Sequence, residues 1–151
     1  MSSMNAWILD FGMNFKAAVG GRELFHLIDV PVTFDVPHVP WYCRRVVSWQ
    51  GRLLPVMDIA ARLSHLEQEI KFIAVVGYQN KRGEQPEYAA LQLEAPPRQV
   101  SVKDEQACCL PENSSGWEQI AIACFEYQGE VFPVLGLNKL FNAKPVLASV
   151  Q

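Results

Sequence analysis

A pattern of fifteen residues occurs twice in this chain and constrains the fold more than any other feature. Trp49 to Leu63 reads WQGRLLPVMDIAARL, and Tyr127 to Phe141 reads YQGEVFPVLGLNKLF. The two copies share four identities: Gln50 with Gln128, Gly51 with Gly129, Pro55 with Pro133, and Val56 with Val134. Six further positions are apolar or aromatic in both copies. An internal repeat of this kind predicts two related structural units within one chain.

Each copy of the repeat predicts a β-hairpin followed by a short helix. A glycine between two apolar runs supplies the backbone freedom of a tight turn, so we place a turn at each Gln-Gly pair. Proline lacks the N–H that a strand donates, so we expect each second strand to bend or meet a sheet edge at its proline. The letters AARLSHL and NKLF that follow contain helix formers and predict the short helices.

Short β runs separated by Gly, Pro and Asn dominate the rest of the chain. AWILDF with FKAAV, and KFIAVVGY with EYAALQL, predict two more hairpins. The repeat divides residues 6–141 into two β-rich halves, about 6–66 and 70–141. So little helix among short strands favours closed or nearly closed barrels, which hide their edges. The last ten letters, NAKPVLASVQ (142–151), are compatible with a tail, a strand or a helix.

Composition excludes several classes of protein. Half of the residues are hydrophobic, which is enough to form a sizeable core. The net charge of −3 argues against a nucleic-acid binder, and Arg44, Arg45 and Arg52 form only a small basic cluster. No secretory signal is visible, and no apolar stretch reaches the about 18 residues that span a bilayer. We therefore expect a cytoplasmic protein without membrane insertion.

The residues that could carry catalysis are scattered. The four cysteines form no C-x-x-C pair, which predicts reduced thiols rather than a metal site or disulfide framework. The three histidines form no metal-binding motif, and no phosphate-binding loop is present. We expect no catalytic residue, no cofactor and no metal. The alternative is a reactive Cys43, because Arg44 and Arg45 beside it would lower its pKa.

Aromatic residues suggest binding to another macromolecule. Trp41 and Tyr42 lie on a proline-flanked stretch, where they serve either as exposed interface anchors or as plugs between the two halves. Trp49 and Tyr127 occupy equivalent repeat positions, which favours a paired structural role. A small peptide- or nucleic-acid-binding barrel is the less favoured alternative, because stacking platforms normally accompany a basic groove.

The stretch VPHVPWYCRRVVSWQGRLLPVMDIAARL (36–63) resembles the signature of CheW-like domains, the coupling proteins of bacterial chemosensory systems. Its matching positions are Pro40, Val46, Val47, Gly51, Pro55, Val56, Asp58, Ile59 and Leu63. The second half is similar to the degenerate end of that family, so the resemblance extends from about Ala6 to Phe141.

This resemblance implies two SH3-like five-stranded barrels around a shared core, and no enzymatic activity. It also implies two partners: the cytoplasmic tip of a methyl-accepting chemoreceptor and the regulatory domain of a CheA-type histidine kinase. We place the contacts within Val39–Arg52, at Val39, Trp41, Tyr42, Arg45, Gln50, Gly51 and Arg52. The alternatives are a component of a type IV pilus twitching system, or a diverged copy that has lost kinase coupling.

Two positions depart from the family pattern. The residue before the turn glycine is usually Arg in the family and is Gln50 here, and the usual glycine before the first strand is Arg45. Gln offers neither the charge nor the bidentate fork of Arg, so we expect Gln50 to mark a changed contact, with Arg45 or Arg52 as a substitute. Asp58 has Gly136 as its counterpart, which favours a helix-capping role over a partner contact.

Overall fold

The computed structural model describes residues 3–29, 31–79, 81–110 and 116–141. Within these residues the chain forms twelve strands and two short α-helices. The strands are β1 (Ser3–Gly12), β2 (Phe15–Gly20), β3 (Leu24–Asp29), β4 (Thr33–Asp35), β5 (Arg45–Trp49), β6 (Arg52–Met57), β7 (Phe72–Tyr78), β8 (Glu87–Leu93), β9 (Arg98–Lys103), β10 (Ala107–Cys108), β11 (Ala121–Tyr127) and β12 (Glu130–Leu135). The helices are α1 (Ile59–Ser64) and α2 (Leu137–Phe141). The expectations for residues 142–151 lie outside the described residues.

The strands form two curled sheets that follow one plan. Sheet A has the order β10-β11-β12-β2-β1-β9, and sheet B, taken from its far end, has the order β4-β5-β6-β8-β7-β3. The prediction of a mostly β chain with two related barrel-like units is therefore confirmed. In the described part of the chain each sheet has six strands rather than five, and one edge of each sheet is a short strand, β4 in sheet B and β10 in sheet A.

The sheets do not follow the halves of the sequence repeat. Sheet B is built from the continuous segment between residues 24 and 93. Sheet A joins the hairpin β1–β2 to the strands β9 to β12. Each sheet therefore contains strands from both sides of residues 66–70.

The repeated Gln-Gly pairs form the tight turns that the sequence predicts. Gln50 and Gly51 have φ values of 50° and 76°, and Gln128 and Gly129 have values of 52° and 79°. Two successive positive φ values define a type I′ turn, whose twist matches that of the flanking strands. The β5–β6 and β11–β12 hairpins are therefore confirmed.

The repeated prolines lie where each second strand changes partners. Pro55 pairs with Val46 on one side, and the parallel pairing of β6 with β8 starts at the next residue, Val56. In the same way, Pro133 pairs with Cys124, and β12 meets β2 at the following residue. Proline fits there because no second neighbour requires its missing N–H.

The core consists of three hydrophobic clusters, and one of them joins the two sheets. One fills sheet B, one fills sheet A, and the largest is shared by both sheets and by the two helices. In β7, Ile73 and Val75 point into sheet B, while Ala74 and Val76 belong to the shared cluster. Burial of both faces explains why this strand is apolar along its length instead of alternating.

Candidate functional site

Residues 36–44, here called the crossing segment, connect β4 to β5 and shape the surface beside sheet B. Its centre is a single 3-10 turn, Trp41–Cys43. Pro40 precedes the turn, and its backbone oxygen accepts a hydrogen bond from the Cys43 N–H at 2.9 Å. The Asp58 N–H donates to the Tyr42 oxygen at 2.8 Å, which fastens the segment to the start of α1. The crossing segment is therefore held by the backbone at its centre.

An apolar groove of about 290 Å³ runs between the crossing segment, the outer face of sheet B and α2. It is lined by Val36, Val39, Pro40, Tyr42, Cys43, Val46, Pro55, Met57, Arg62, Leu140 and Phe141. Arg62 contributes the charged group of this lining, and its guanidinium lies 5.4 Å from the centre of the Tyr42 ring. The groove's mostly apolar lining is suited to contact with apolar groups.

An exposed apolar row adjoins the groove on sheet B. Phe34 pairs with Val46 across β4 and β5, and Val46 pairs with Pro55 across β5 and β6. Phe34 is 55% exposed, and Pro55 is also exposed. The groove and this row together form one apolar surface that includes the sheet edge.

Two of the three equivalent positions on sheet A are buried. Cys108, Cys124 and Pro133 hold the register positions that correspond to Phe34, Val46 and Pro55. Cys124 and Pro133 are buried, and Pro133 lines a smaller cavity together with Leu110 and Trp117. The two sheets therefore share one strand order but differ in how deeply these positions are buried.

A polar pocket lies on the other side of Tyr42. Its lining includes Trp41 and the charged residues Arg44, Arg45, Asp58 and Glu67. A nitrogen of Arg44 lies 2.6 Å from the Glu67 carboxylate, and Arg45 lies 3.5 Å from Asp35 and 3.9 Å from Glu67. The pairs with Glu67 tie the crossing segment and the start of β5 to the chain after α1. Two of the three arginines of the small basic cluster, Arg44 and Arg45, therefore have acidic partners within the molecule.

Asp58 caps helix α1 from inside this pocket. Its carboxylate accepts a hydrogen bond from the Ala61 N–H at 3.0 Å, and the residue is 8% exposed. Burial raises the pKa of Asp58, while the backbone N–H groups of Ala61 and Gln68 oppose that rise. The capping interpretation is confirmed.

The predicted contact residues fall into separate places. Val39 lines the groove, Trp41 and Arg45 line the polar pocket, and Tyr42 stands between the two. Gln50, Gly51 and Arg52 are exposed and lie at the far end of β5. Gln50 is about 16 Å from Arg45 along this strand, at roughly 3.3 Å per residue. There the Arg52 guanidinium stacks 4.9 Å from the centre of the Tyr88 ring.

The aromatic residues separate into two roles. Tyr42 is half-buried and packs against the shared core, whereas Trp41 is 37% exposed. Tyr42 therefore plugs the seam, and Trp41 is the accessible member of the pair. Trp49 packs against the cluster of sheet B and Tyr127 against that of sheet A, which confirms their paired structural role.

Cys43 is not an activated thiol. Burial raises its pKa to about 11, and the nearby Arg62 offsets only part of that rise. The alternative of a reactive Cys43 is wrong, because Arg44 and Arg45 are directed to Glu67 and Asp35 instead. In the described ranges no group of three or more His, Cys, Asp or Glu side chains is placed to hold a metal. None of the helices in those ranges has the length and hydropathy to cross a membrane.

The sequence interpretation missed one wall of the groove. Leu140 and Phe141 in α2 lie opposite the crossing segment, although they follow it by about a hundred residues. The signal that points to them is the repeat itself, because they end its second copy as Arg62 and Leu63 end its first.

Comparisons with known proteins agree on one family. The model of the CheW-like domain matches residues 22–144, well over half of the chain. Among solved structures, the crystal structure of the scaffolding protein TtCheW from Thermoanaerobacter tengcongensis superposes with a TM-score of 0.74, covering 94% of each chain. The identity is 10%, so this likeness concerns the fold alone. Among curated proteins, a sequence search finds no match.

Proposed function

The chain belongs to the family of CheW-like domains, and on that premise we propose that it is a cytoplasmic, non-catalytic chemosensory adaptor. It couples the tip of a methyl-accepting chemoreceptor to a CheA-type histidine kinase through protein–protein contacts. The observation that carries this proposal is the apolar groove on sheet B, where Val46 is half-buried and Pro55 is exposed, whereas the equivalent Cys124 and Pro133 of sheet A are buried.

We assign the groove to the chemoreceptor. An amphipathic helix binds a groove of this kind by inserting apolar side chains from one face. The walls are already fixed by backbone hydrogen bonds and by core packing, so little ordering is needed on binding. Exposed Trp41 and Phe34 at its margins supply aromatic contacts of the type that dominates interfaces.

We assign the Gln50-Gly51 turn, with Arg52, to the kinase. An adaptor needs two surfaces that its partners can occupy at the same time. The turn begins four residues after Val46 of the groove, about 13 Å away along β5 at roughly 3.3 Å per residue, which leaves room for a second protein. Arg52 at this turn keeps a cationic group next to the position where the family usually has Arg.

Two substitutions on one strand face test the groove. Val46→Asp places a carboxylate in the groove, and Ser48→Asp places the same group two residues further along that face, outside the lining. Burying an unpaired carboxylate is costly, so we expect Val46→Asp to weaken binding of a purified receptor tip at least about tenfold, and Ser48→Asp to leave it unchanged. Isothermal titration calorimetry measures both affinities.

The kinase assignment is measured with the same proteins. We expect Val46→Asp to bind the kinase regulatory domain normally, and Gln50→Arg to change that affinity without affecting receptor binding. Equal receptor binding by the two Asp variants would contradict the groove assignment. Running the titrations with partners from a flagellar and from a twitching system identifies the pathway, and binding to neither identifies a diverged copy.

A further inference from the structure

Two cysteines face each other across the outer edge of sheet A. Cys108 in β10 is the register partner of Cys124 in β11, and their Sγ atoms lie 3.0 Å apart. The Cys124 thiol donates a hydrogen bond to the backbone oxygen of Cys108 at 2.9 Å, which holds its sulfur against the edge strand. Cys108 is exposed and Cys124 is buried, so a solvent oxidant reaches one sulfur first.

We propose that Cys108 and Cys124 form a reversible disulfide when the chain meets hydrogen peroxide, and that this bond fixes β10 to sheet A. The Cys108 thiolate attacks one peroxide oxygen, the O–O bond breaks, and the leaving hydroxide takes up the proton that the thiol had released, which gives a sulfenic acid and water. The Cys124 sulfur then attacks the sulfenic sulfur and displaces a second water. Each chain consumes one peroxide and loses two thiol hydrogens, and an added thiol reverses the change by exchange.

The register already meets the geometric requirement for this bond. Residues directly opposite in an antiparallel pair have Cα atoms about 4.5–5.5 Å apart, within the usual range for disulfides. Burial raises the pKa of the Cys124 thiol to about 12, and the neighbouring Cys108 and Cys109 add to that rise. The buried, protonated Cys124 is therefore the less reactive thiol, and exposed Cys108 is the one that peroxide oxidises first.

The bond acts on a strand that is otherwise weakly held. β10 has two residues, and its register with β11 consists of Ala107 with Phe125 and Cys108 with Cys124. Short edge strands with few contacts are the parts of a fold that open most easily. Leu110, two residues after Cys108, lines the cavity beside Pro133 together with Trp117. Oxidation therefore fixes β10, and with it the nearby Leu110, against sheet A.

Peptide mapping of the full-length protein tests the pairing. After peroxide treatment and alkylation, a glutamate-specific protease separates residues 106–112, with Cys108 and Cys109, from residues 119–126, with Cys124. We expect a cross-linked pair of these peptides in the natural chain and in Cys109→Ser, and its loss in Cys108→Ser. Free thiols fall from four to two per chain, and a reducing thiol restores them. Cys108 is exposed, so its serine variant is expected to fold.

Several results would overturn the proposal. A cross-link that survives in Cys108→Ser and disappears in Cys109→Ser would show that Cys109, and not Cys108, pairs with Cys124. A lighter, uncrosslinked 106–112 peptide indicates a bond between the adjacent cysteines, and a sulfinic acid on Cys108 beside a free Cys124 excludes pairing. Hydrogen exchange tests whether the bond fixes β10: amides of β10 slow on oxidation while those of β4, the equivalent edge, do not. Unchanged exchange in β10 refutes this effect of the bond.

Discussion

Replacing Asp58 tests whether the start of α1 depends on a single buried cap. In Asp58→Ala the Ala61 N–H loses its side-chain acceptor, and Ile59, Ala60 and Ala61 remain buried around it. Loss of an N-cap side chain costs about 1 kcal/mol of unfolding free energy, and up to about 2 kcal/mol in proteins. The same residue starts the turn after β6, so a weakened cap also loosens the wall of the polar pocket.

Asp58→Asn separates hydrogen bonding from charge. The amide oxygen still accepts the Ala61 N–H, but it carries no charge that burial disfavours. Because burial raises the pKa of Asp58 in the folded state, the folded chain binds the proton more tightly than the unfolded chain. The stabilisation from protonated Asp58 is present at acidic pH and is lost as the pH rises through its folded-state pKa. The Asn variant lacks this dependence.

Urea denaturation followed by tryptophan fluorescence measures both effects. At neutral pH we expect Asp58→Ala to lower the midpoint by about 0.5 M, from a loss of about 1 kcal/mol and a typical slope of about 2 kcal/mol/M. Asp58→Asn stays within about 0.3 kcal/mol of the natural chain, or above it. If Asp58→Asn is as destabilised as Asp58→Ala, the hydrogen-bond reasoning is refuted. If Asp58→Ala is neutral, the cap contributes nothing.

Two further predictions concern the turns and the buried thiol. Gly51→Ala and Gly129→Ala each place a side chain at a positive φ where it meets no other atom. We expect each substitution to lower the free energy of unfolding by about 1 kcal/mol, measured by thermal unfolding. Clearly unequal losses would show that the two turns differ. Burial raises the pKa of Cys43 to about 11, so we expect iodoacetamide to modify this thiol slowly at pH 7 and faster as the pH approaches 11. Mass spectrometry measures the rate of modification. Rapid modification of Cys43 at pH 7 would contradict the raised pKa.

Local features of this fold could be predicted from the sequence because their causes are local. Gly51 and Gly129 mark turns by their backbone freedom, and β7 and β8 show as apolar runs around a polar loop. The position of Asp58 directly before a run of helix-forming residues indicated that it caps the N-terminus of α1. The partners of each strand could not be predicted, because the placement of the β1–β2 hairpin in sheet A depends on contacts between distant parts of the chain.

The candidate site shows the same limit. Val39 and Gln50 are near in sequence, yet the length of β5 separates the groove from the turn. Phe141, in contrast, is distant in sequence and lines the groove. Strands of two or three residues, such as β4 and β10, carry no periodicity that distinguishes them from loops. The residues that complete the site are therefore those whose position depends on how the two sheets pack.

The two equivalent sheets differ in the aromatic residue that lies beside each of them. In sheet A, the chain between β10 and β11 turns Trp117 inward, where it is 8% exposed and lies 6.4 Å from Phe11 between ring centres. In sheet B, the crossing segment at the same place leaves Trp41 exposed and Pro55 uncovered. An inward aromatic adds to the shared core, while an outward one keeps the sheet face free for a partner. The placement of these two aromatic side chains, rather than any difference in strand order, thus distinguishes the face that we propose as the binding surface from its counterpart.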